Sequence, residues 1–356
     1  METGKRDYVL DLLRFLCAVL MVLTHYEGIF NLSFSGIRFN GGRFYFGLVN
    51  EMFFMLSGYL SFRSVAKIQN GLNFDRYFSA KVLRLLPIAA LSTMLYALMH
   101  RVTWPADEFS LWQVIVTCAG ANAGGPFNEM FINSHLWYTS VLLICCALFF
   151  IAVRLSQRMK TDWRYACFFM VVLGLSAYTR FENIPFLRHA ACRGYMAFFT
   201  GVLLASALAK HRPGKAAGWI SLSVIAALTA LIVFRFEIME YGLNYMMIFL
   251  YYPAVIVLAE APLTQRLLNR KVFGILGQIS YGIYVWHLEF NVFAQIFDDA
   301  LDLGVRFDSR WTEFVMVLLN IGIGFASYYL LERPLNRFIK KKTNRIPAQS
   351  AGSAAT

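Results

Sequence analysis

The chain has 356 residues, of which 58% are apolar, 16% aromatic and only 15% charged. Soluble domains hold about 25% charged and about 45–50% apolar residues, so a soluble globular enzyme is excluded, and the aromatic content excludes a disordered chain. The formal charge of +12 points to basic cytoplasmic loops of a polytopic membrane protein, with no nucleic acid as partner.

At about 20 residues per span, the length allows roughly ten spans with short loops. Ten apolar runs are predicted as helices near 9–28, 44–63, 83–100, 135–153, 163–179, 192–209, 218–235, 242–259, 272–291 and 312–331. The first run carries Asp11, Arg14 and His25 and lacks a small-residue cleavage site, so no cleavable signal peptide is expected. The ninth is the most polar, with Gly274, Gly277, Gln278, Ser280 and Gly282, and is expected inside the bundle. Alternating the segments places 23 Lys and Arg residues on inner loops against 9 on outer ones. That bias sets both termini in the cytoplasm.

Between the third and fourth runs lies the longest outer segment, 101–134. Its apolar stretch Leu111 to Ala119 is too short to span and reads as interfacial or re-entrant, followed by the Gly-rich 120-GANAGGPFN. The six cysteines sit mostly in or beside apolar runs and are expected as small packing residues rather than a disulfide framework. The predicted organisation is an all-α membrane domain over 1–338 and a disordered basic cytoplasmic tail over 339–356. There is no visible internal repeat.

Ionisable groups inside spans are costly and therefore point to function. In 10-LDLLRFLCAVLMVLTHY, Arg14 and His25 are 11 residues apart. Eleven helical steps return to within about 20° of the same face and advance about 16 Å. Arg14 thus lies near the inner end and His25 near the outer end, with Asp11 placed to pair with Arg14. Glu51 in the second run sits at the depth of His25, where a carboxylate could orient the imidazole. The third run opens at its inner end with 81-KVLRLLP, whose Lys81 and Arg84 share one face. With Arg14 at similar depth, these cations could bind a phosphate-bearing ligand from the cytosol. His135 and Trp137 open the fourth run and His287 closes the ninth, all on the outer side. Each also fits an interfacial aromatic belt. Glu332 and Arg333 in 332-ERPLNRF are expected to be structural. The chain has no phosphate loop, no HExxH spacing and no GxSxG elbow, so no metal site is expected.

An ordered set of motifs resembles the membrane acyltransferase family three, bacterial integral-membrane enzymes that O-acylate sugars. The set comprises Asp11–Leu12–Leu13–Arg14 with the spacing to His25, 53-FFMLSGYL, 81-KVLRLLP, 135-HLWY, 281-YGIYVWH and 332-ERP, over about residues 6–338. The resemblance implies acetyl-CoA as acyl donor, His25 as catalytic histidine and Arg14 as its partner or a donor-binding group. It carries Lys81 and Arg84 to the family's paired-arginine block, where Lys81 departs from the usual Arg and loses bidentate phosphate binding.

The expected enzyme is a multi-pass protein of the inner membrane, among membrane lipid, that moves acetyl to a hydroxyl of a lipid-linked or surface polysaccharide. His25 would act as general base or as acyl-carrying nucleophile, with Glu51 orienting it. Donor phosphates would meet Arg14, Lys81 and Arg84; the acceptor would meet His135, Trp137 and His287. Transfer of another acyl group such as succinyl, a transporter or flippase of a lipid-linked sugar, and a non-catalytic partner of a polysaccharide synthase are the alternatives.

Overall fold

The computed structural model describes residues 6–30, 39–40, 49–103, 109–129, 132–181, 184–234 and 240–343. Among these residues there is no strand. In chain order the helices are α1 Tyr8–Phe30, α2 Val49–Ser61, α3 Val65–Gln69, α4 Phe74–Thr103 and α5 Leu111–Cys118. They continue as α6 Trp137–Arg158, α7 Trp163–Ala177, α8 His189–Lys210, α9 Lys215–Val233 and α10 Glu240–Met246. The last are α11 Tyr252–Glu260, α12 Pro262–Leu268, α13 Val272–Leu301, α14 Arg310–Ser327 and α15 Arg333–Thr343. π-turns join α10 to α11 and α14 to α15, over Met247–Tyr251 and Tyr328–Glu332.

Each of the ten predicted runs falls on a helix, and the protein is an all-helical membrane protein. Seven helices among the described residues are long and apolar enough to cross a membrane. α2, with 13 residues, and α7, with 15, are shorter. α13 is long but carries the polar and small residues that mark it as an interior helix. The predicted residues of the second run before Val49, and the tail after Thr343, lie outside the described residues.

Local sequence sets several starts. Ser110 caps α5 by accepting from the Gln113 amide while the Gln113 side chain accepts from Ser110, a reciprocal capping box. Asp162 caps α7 and Ser309 caps α14 in the simpler way. α5 has eight residues, in keeping with a stretch too short to span. The cysteines are free, and five of the six are buried.

Burial is inverted relative to a soluble protein. Asp11, Glu27, Glu51, Glu289, Glu313 and Glu332 are buried, while Trp219, Ile220, Trp311 and Phe314 stand exposed on α9 and α14. Apolar side chains cost nothing against lipid tails, whereas an unpaired charge there costs heavily. The ionisable residues therefore face the bundle interior.

Two helix groups make that interior. α1 packs along α13, which also packs on α14; α2 packs along α8, which also takes α6 and α7. α4 touches both α6 and α13 and closes the space between the groups. The α2–α8 seam is a backbone-to-backbone approach at two glycines. A Cβ on Gly58 would stand 1.9 Å from the Phe198 carbonyl oxygen, and one on Gly201 would stand 2.1 Å from that of Met55. Small residues let membrane helices come this close.

Gly58→Ala should therefore force α2 off α8 and cost about 1–3 kcal/mol. The exposed Gly322 on α14 meets nothing within 4 Å, so Gly322→Ala should be neutral or mildly stabilising. Thermal unfolding of the two detergent-purified variants checks this; equal melting temperatures would contradict the seam.

Candidate functional site

The N-terminal end of α1 builds the first half of the site. Asp11 is buried and pairs with both Arg6, at 2.5 Å, and Arg14, at 3.2 Å. Arg6 also donates to the Gly274 carbonyl at 2.7 Å. Gly277 leaves room for the carboxylate, since a Cβ there would stand 2.4 Å from the Asp11 Cβ. The pair thus fixes α1 against α13 and presents Arg14 sideways. The Arg14 Nε is buried without a hydrogen-bond partner.

Arg14 faces a cavity of about 640 Å³. Lys81 and Arg84 line it as well, so the three cations singled out by sequence do converge. Arg6, Arg333 and Arg337 join them, making six cations around one carboxylate, Glu332. The last two arginines and Asn336 arrive on α15, after the π-turn that places Glu332 within 3.1 Å of Ser327 Oγ. Sequence reasoning counted Arg6, Arg333 and Arg337 as topology charges. Their only signal was i, i+4 spacing next to the Glu332 motif. Arg84 makes no ion pair with any described residue, while the Lys81 ammonium lies 5.5 Å from the centre of the Tyr77 ring. Six cations against one lining carboxylate give this cavity an excess of positive charge, a setting chemically suited to a multiply charged anion.

The cavity wall includes Phe53, Tyr138 and Tyr284. Tyr138 and Tyr284 meet edge to face, and the Tyr138 hydroxyl lies 3.2 Å from Ser57 Oγ. Tyr284 belongs also to the second half of the site. Its hydroxyl donates to the His135 carbonyl, and its own carbonyl takes a hydrogen bond from His287 Nδ1 at 2.7 Å.

That second half is a cluster of three histidines. His25 Nδ1 lies 2.6 Å from His287 Nε2, with ring planes 8° apart. His135 stands edge-on to His287 at 4.9 Å, and its Nε2 lies 3.3 Å from the Val285 carbonyl oxygen. The three side chains come from α1, the turn before α6, and α13, at one level of the bundle. Beyond them Glu289 accepts from Ser92, which in turn accepts from Asn133 at 3.0 Å.

Glu51 departs from expectation. It does not orient His25: its Oε1 takes the guanidinium of Arg193 and its Oε2 has no hydrogen-bond partner. Depth alone suggests His25 as its neighbour, but the rotation of α2 decides the neighbour. Glu51, Met55 and Gly58 form one stripe, and Gly58 and Met55 are the residues that meet α8. Glu51 therefore faces α8, where Arg193 waits. Trp137, expected at an acceptor site, covers that same guanidinium at 4.9 Å. The trio is a buried ion pair under an aromatic lid.

Taken together, the fold and the site define a multi-pass helical membrane protein with a cation-lined cavity that shares a tyrosine wall with a histidine cluster. A family model for an acyltransferase domain matches residues 7–333, nearly the whole chain, and the chain belongs to that acyltransferase family. Over 82 residues it is 39% identical to the "Exopolysaccharide production protein ExoZ" of Rhizobium meliloti (strain 1021). That stretch is 23% of this chain and 24% of the relative, so the chain matches about a quarter of the relative's length. No solved structure matches the chain. Family membership favours acyl transfer over the transporter reading.

Removing one partner of a buried ion pair strands the other charge. Arg193→Met should therefore cost about 3–5 kcal/mol, and the double variant Glu51→Gln/Arg193→Met should recover much of it. A double-mutant cycle of thermal unfolding checks the coupling; additive effects would show that the pair is not coupled.

Proposed function

We propose that the protein is an acetyl-CoA-dependent O-acetyltransferase of the inner membrane, acting on a hydroxyl of an exopolysaccharide or its lipid-linked precursor. The observation that carries the reading is the cavity where Arg14, Lys81, Arg84, Arg6, Arg333 and Arg337 meet. An acyl-CoA carries a pyrophosphate and a phosphomonoester, the latter worth about two negative charges near neutral pH. Planar guanidinium groups bind such phosphates in pairs of hydrogen bonds. Tyr138, Tyr284 and Phe53 give the uncharged arm an apolar, partly hydroxylated wall.

In this reading the cations hold the nucleotide end on the cytosolic side and the thioester reaches toward the histidines. His25 takes the proton of the acceptor hydroxyl, or attacks the thioester itself and carries the acetyl group. On the first route the hydroxyl oxygen bonds the acyl carbon, the carbon–sulfur bond breaks, and the proton held by His25 passes to the thiolate. On the second the His25 nitrogen bonds the acyl carbon as the thiolate leaves, then the acceptor hydroxyl displaces the imidazole and its proton goes to the thiolate. The named relative supports a surface-polysaccharide acceptor, because its own name concerns exopolysaccharide production.

The test separates binding from chemistry. Acetyl-CoA at about 100 times its Kd should stabilise the wild-type protein by about 2.7 kcal/mol, seen as a raised melting temperature. Arg84→Gln, which breaks no ion pair, should lose most of that shift. Arg14→Ala should lose it as well. His25→Ala should keep the shift and lose acetyl transfer in membrane vesicles that carry the endogenous acceptor. Absence of any shift with acetyl- or succinyl-CoA would overturn the donor assignment, and an active His25→Ala would overturn the catalytic one.

A further inference from the structure

We infer that His287 is a positioning residue: it fixes the tautomer and plane of His25 so that His25 Nε2 is the atom that carries out the chemistry. The inference rests on the proposed role of His25 and adds the reason this ring is competent. It moves His287 from an acceptor contact to a support of the reacting histidine.

The chain of hydrogen bonds has one consistent direction. The Tyr284 carbonyl can only accept, so His287 Nδ1, 2.7 Å away, bears the hydrogen. No carboxylate among the described residues pairs with either ring of the His25–His287 contact, and a buried cation without a counter-ion is costly. Both rings are therefore neutral, and a neutral His287 with hydrogen on Nδ1 has its lone pair on Nε2. That lone pair faces His25 Nδ1 at 2.6 Å. Two lone pairs cannot sit opposed at such a distance, so His25 Nδ1 must donate. His25 Nε2 is then unprotonated, as a base or a nucleophile requires.

The geometry supports a held ring rather than a passing contact. Planes 8° apart at a 4.9 Å centroid spacing put the two imidazoles edge to edge in nearly one plane, as an in-line N–H···N bond prefers. His287 itself has 0% exposure, and its other nitrogen is tied within its own helix. His135 stands edge-on against it at 75°, which blocks a ring flip. Seen this way, the Tyr284 carbonyl, His287 and His25 form a relay of orientation that ends at the reacting nitrogen. The same Tyr284 lines the cation cavity.

The variants that test this differ in one atom's role. In His287→Gln the amide oxygen can still accept from His25 Nδ1–H; in His287→Ala nothing can. Activity is read as CoA-thiol release from acetyl-CoA in vesicles containing the endogenous acceptor. His287→Ala should lower kcat by about 100-fold or more, the range of a misoriented general base. Its KM for acetyl-CoA and its acetyl-CoA thermal shift should stay near wild type. His287→Gln should return kcat to within about tenfold of wild type. A purely structural role would move KM, the thermal shift and kcat together, and the glutamine would bring no rescue. Equal kcat in the two variants, whether both normal or both lost, overturns the proposal. Nitrogen NMR of histidine-labelled wild-type protein provides a readout independent of folding of the variants, with the His25 signal assigned by its loss in His25→Ala. A His25 ring protonated at Nδ1 is expected, and one protonated at Nε2 overturns the proposal. If His25→Ala is fully active while the ring is protonated at Nδ1, the catalytic reading fails and the orientation stands.

Discussion

The buried carboxylate of Asp11 is the interaction on which the rest of the site depends. It sits between Arg6 and Arg14, against the backbone of α13 at Gly277. A charge so placed has to be paired, and the pairing can be met only if α1 and α13 keep this register. Once they do, the far ends of the two helices are set as well, because both are rigid rods. The contact between His25 and His287 then follows from a salt bridge at the opposite end of the same seam. The same bridge holds Arg14 against rotation, with its side chain in the lining of the cavity.

Other buried charges obey the same rule in structural roles. Glu27 accepts from the Phe39 and Asn40 amides and from Arg310, which also binds Glu313 at 2.6 Å. This knot joins the C-terminal end of α1 to the start of α14. Glu51, Arg193 and Trp137 tie α2, α8 and α6 together. What distinguishes the cavity from these knots is an imbalance. Six cations share one lining carboxylate, and Asp11 behind them supplies a second. Among the described residues no further carboxylate lines the cavity, and on the proposed reading an anionic ligand would complete the charge balance.

How much of this the sequence disclosed depends on which coordinate of a residue mattered. Position along a helix axis is legible from spacing, and Arg14, Lys81 and Arg84 were grouped by depth alone before the cavity brought them together. His25, His135 and His287 are likewise expected on the outer side, and the structure brings their three rings into one cluster. Rotation about the axis is not legible in the same way, because apolar residues line nearly every face of a lipid-embedded helix and the amphipathic signal fades. Glu51 shows the consequence: its azimuth on α2 turns it to Arg193 instead of His25. Arg333 and Arg337 were obscured for a different reason. Basic residues at the inner end of a last span are expected from topology, and only the π-turn over Tyr328–Glu332 turns α15 so that they line the cavity. The ten apolar runs all proved helical, but α2, α7 and α13 lie outside the seven with the length and apolarity of a span.

The tyrosine wall gives the two halves of the site different physical tasks. Phe53, Tyr138 and Tyr284 line the cation cavity, and Tyr284 also touches the histidines. Charge on a ligand can be satisfied only on the cavity side, since no cation pairs into the histidine cluster among the described residues. On the proposed reading, an acyl donor would therefore be sorted along its own length, phosphates at the arginines and thioester past the aromatic wall. The reacting nitrogen can then stay neutral and unprotonated close to a strongly cationic cavity, because the carbonyl of the wall residue Tyr284 itself fixes which nitrogen of His287, and through it which nitrogen of His25, carries the hydrogen. On that reading the cavity and the proton placement adjoin at Tyr284, and the spacing of about 16 Å between Arg14 and His25 along α1 is the distance the helix supplies between cation and imidazole.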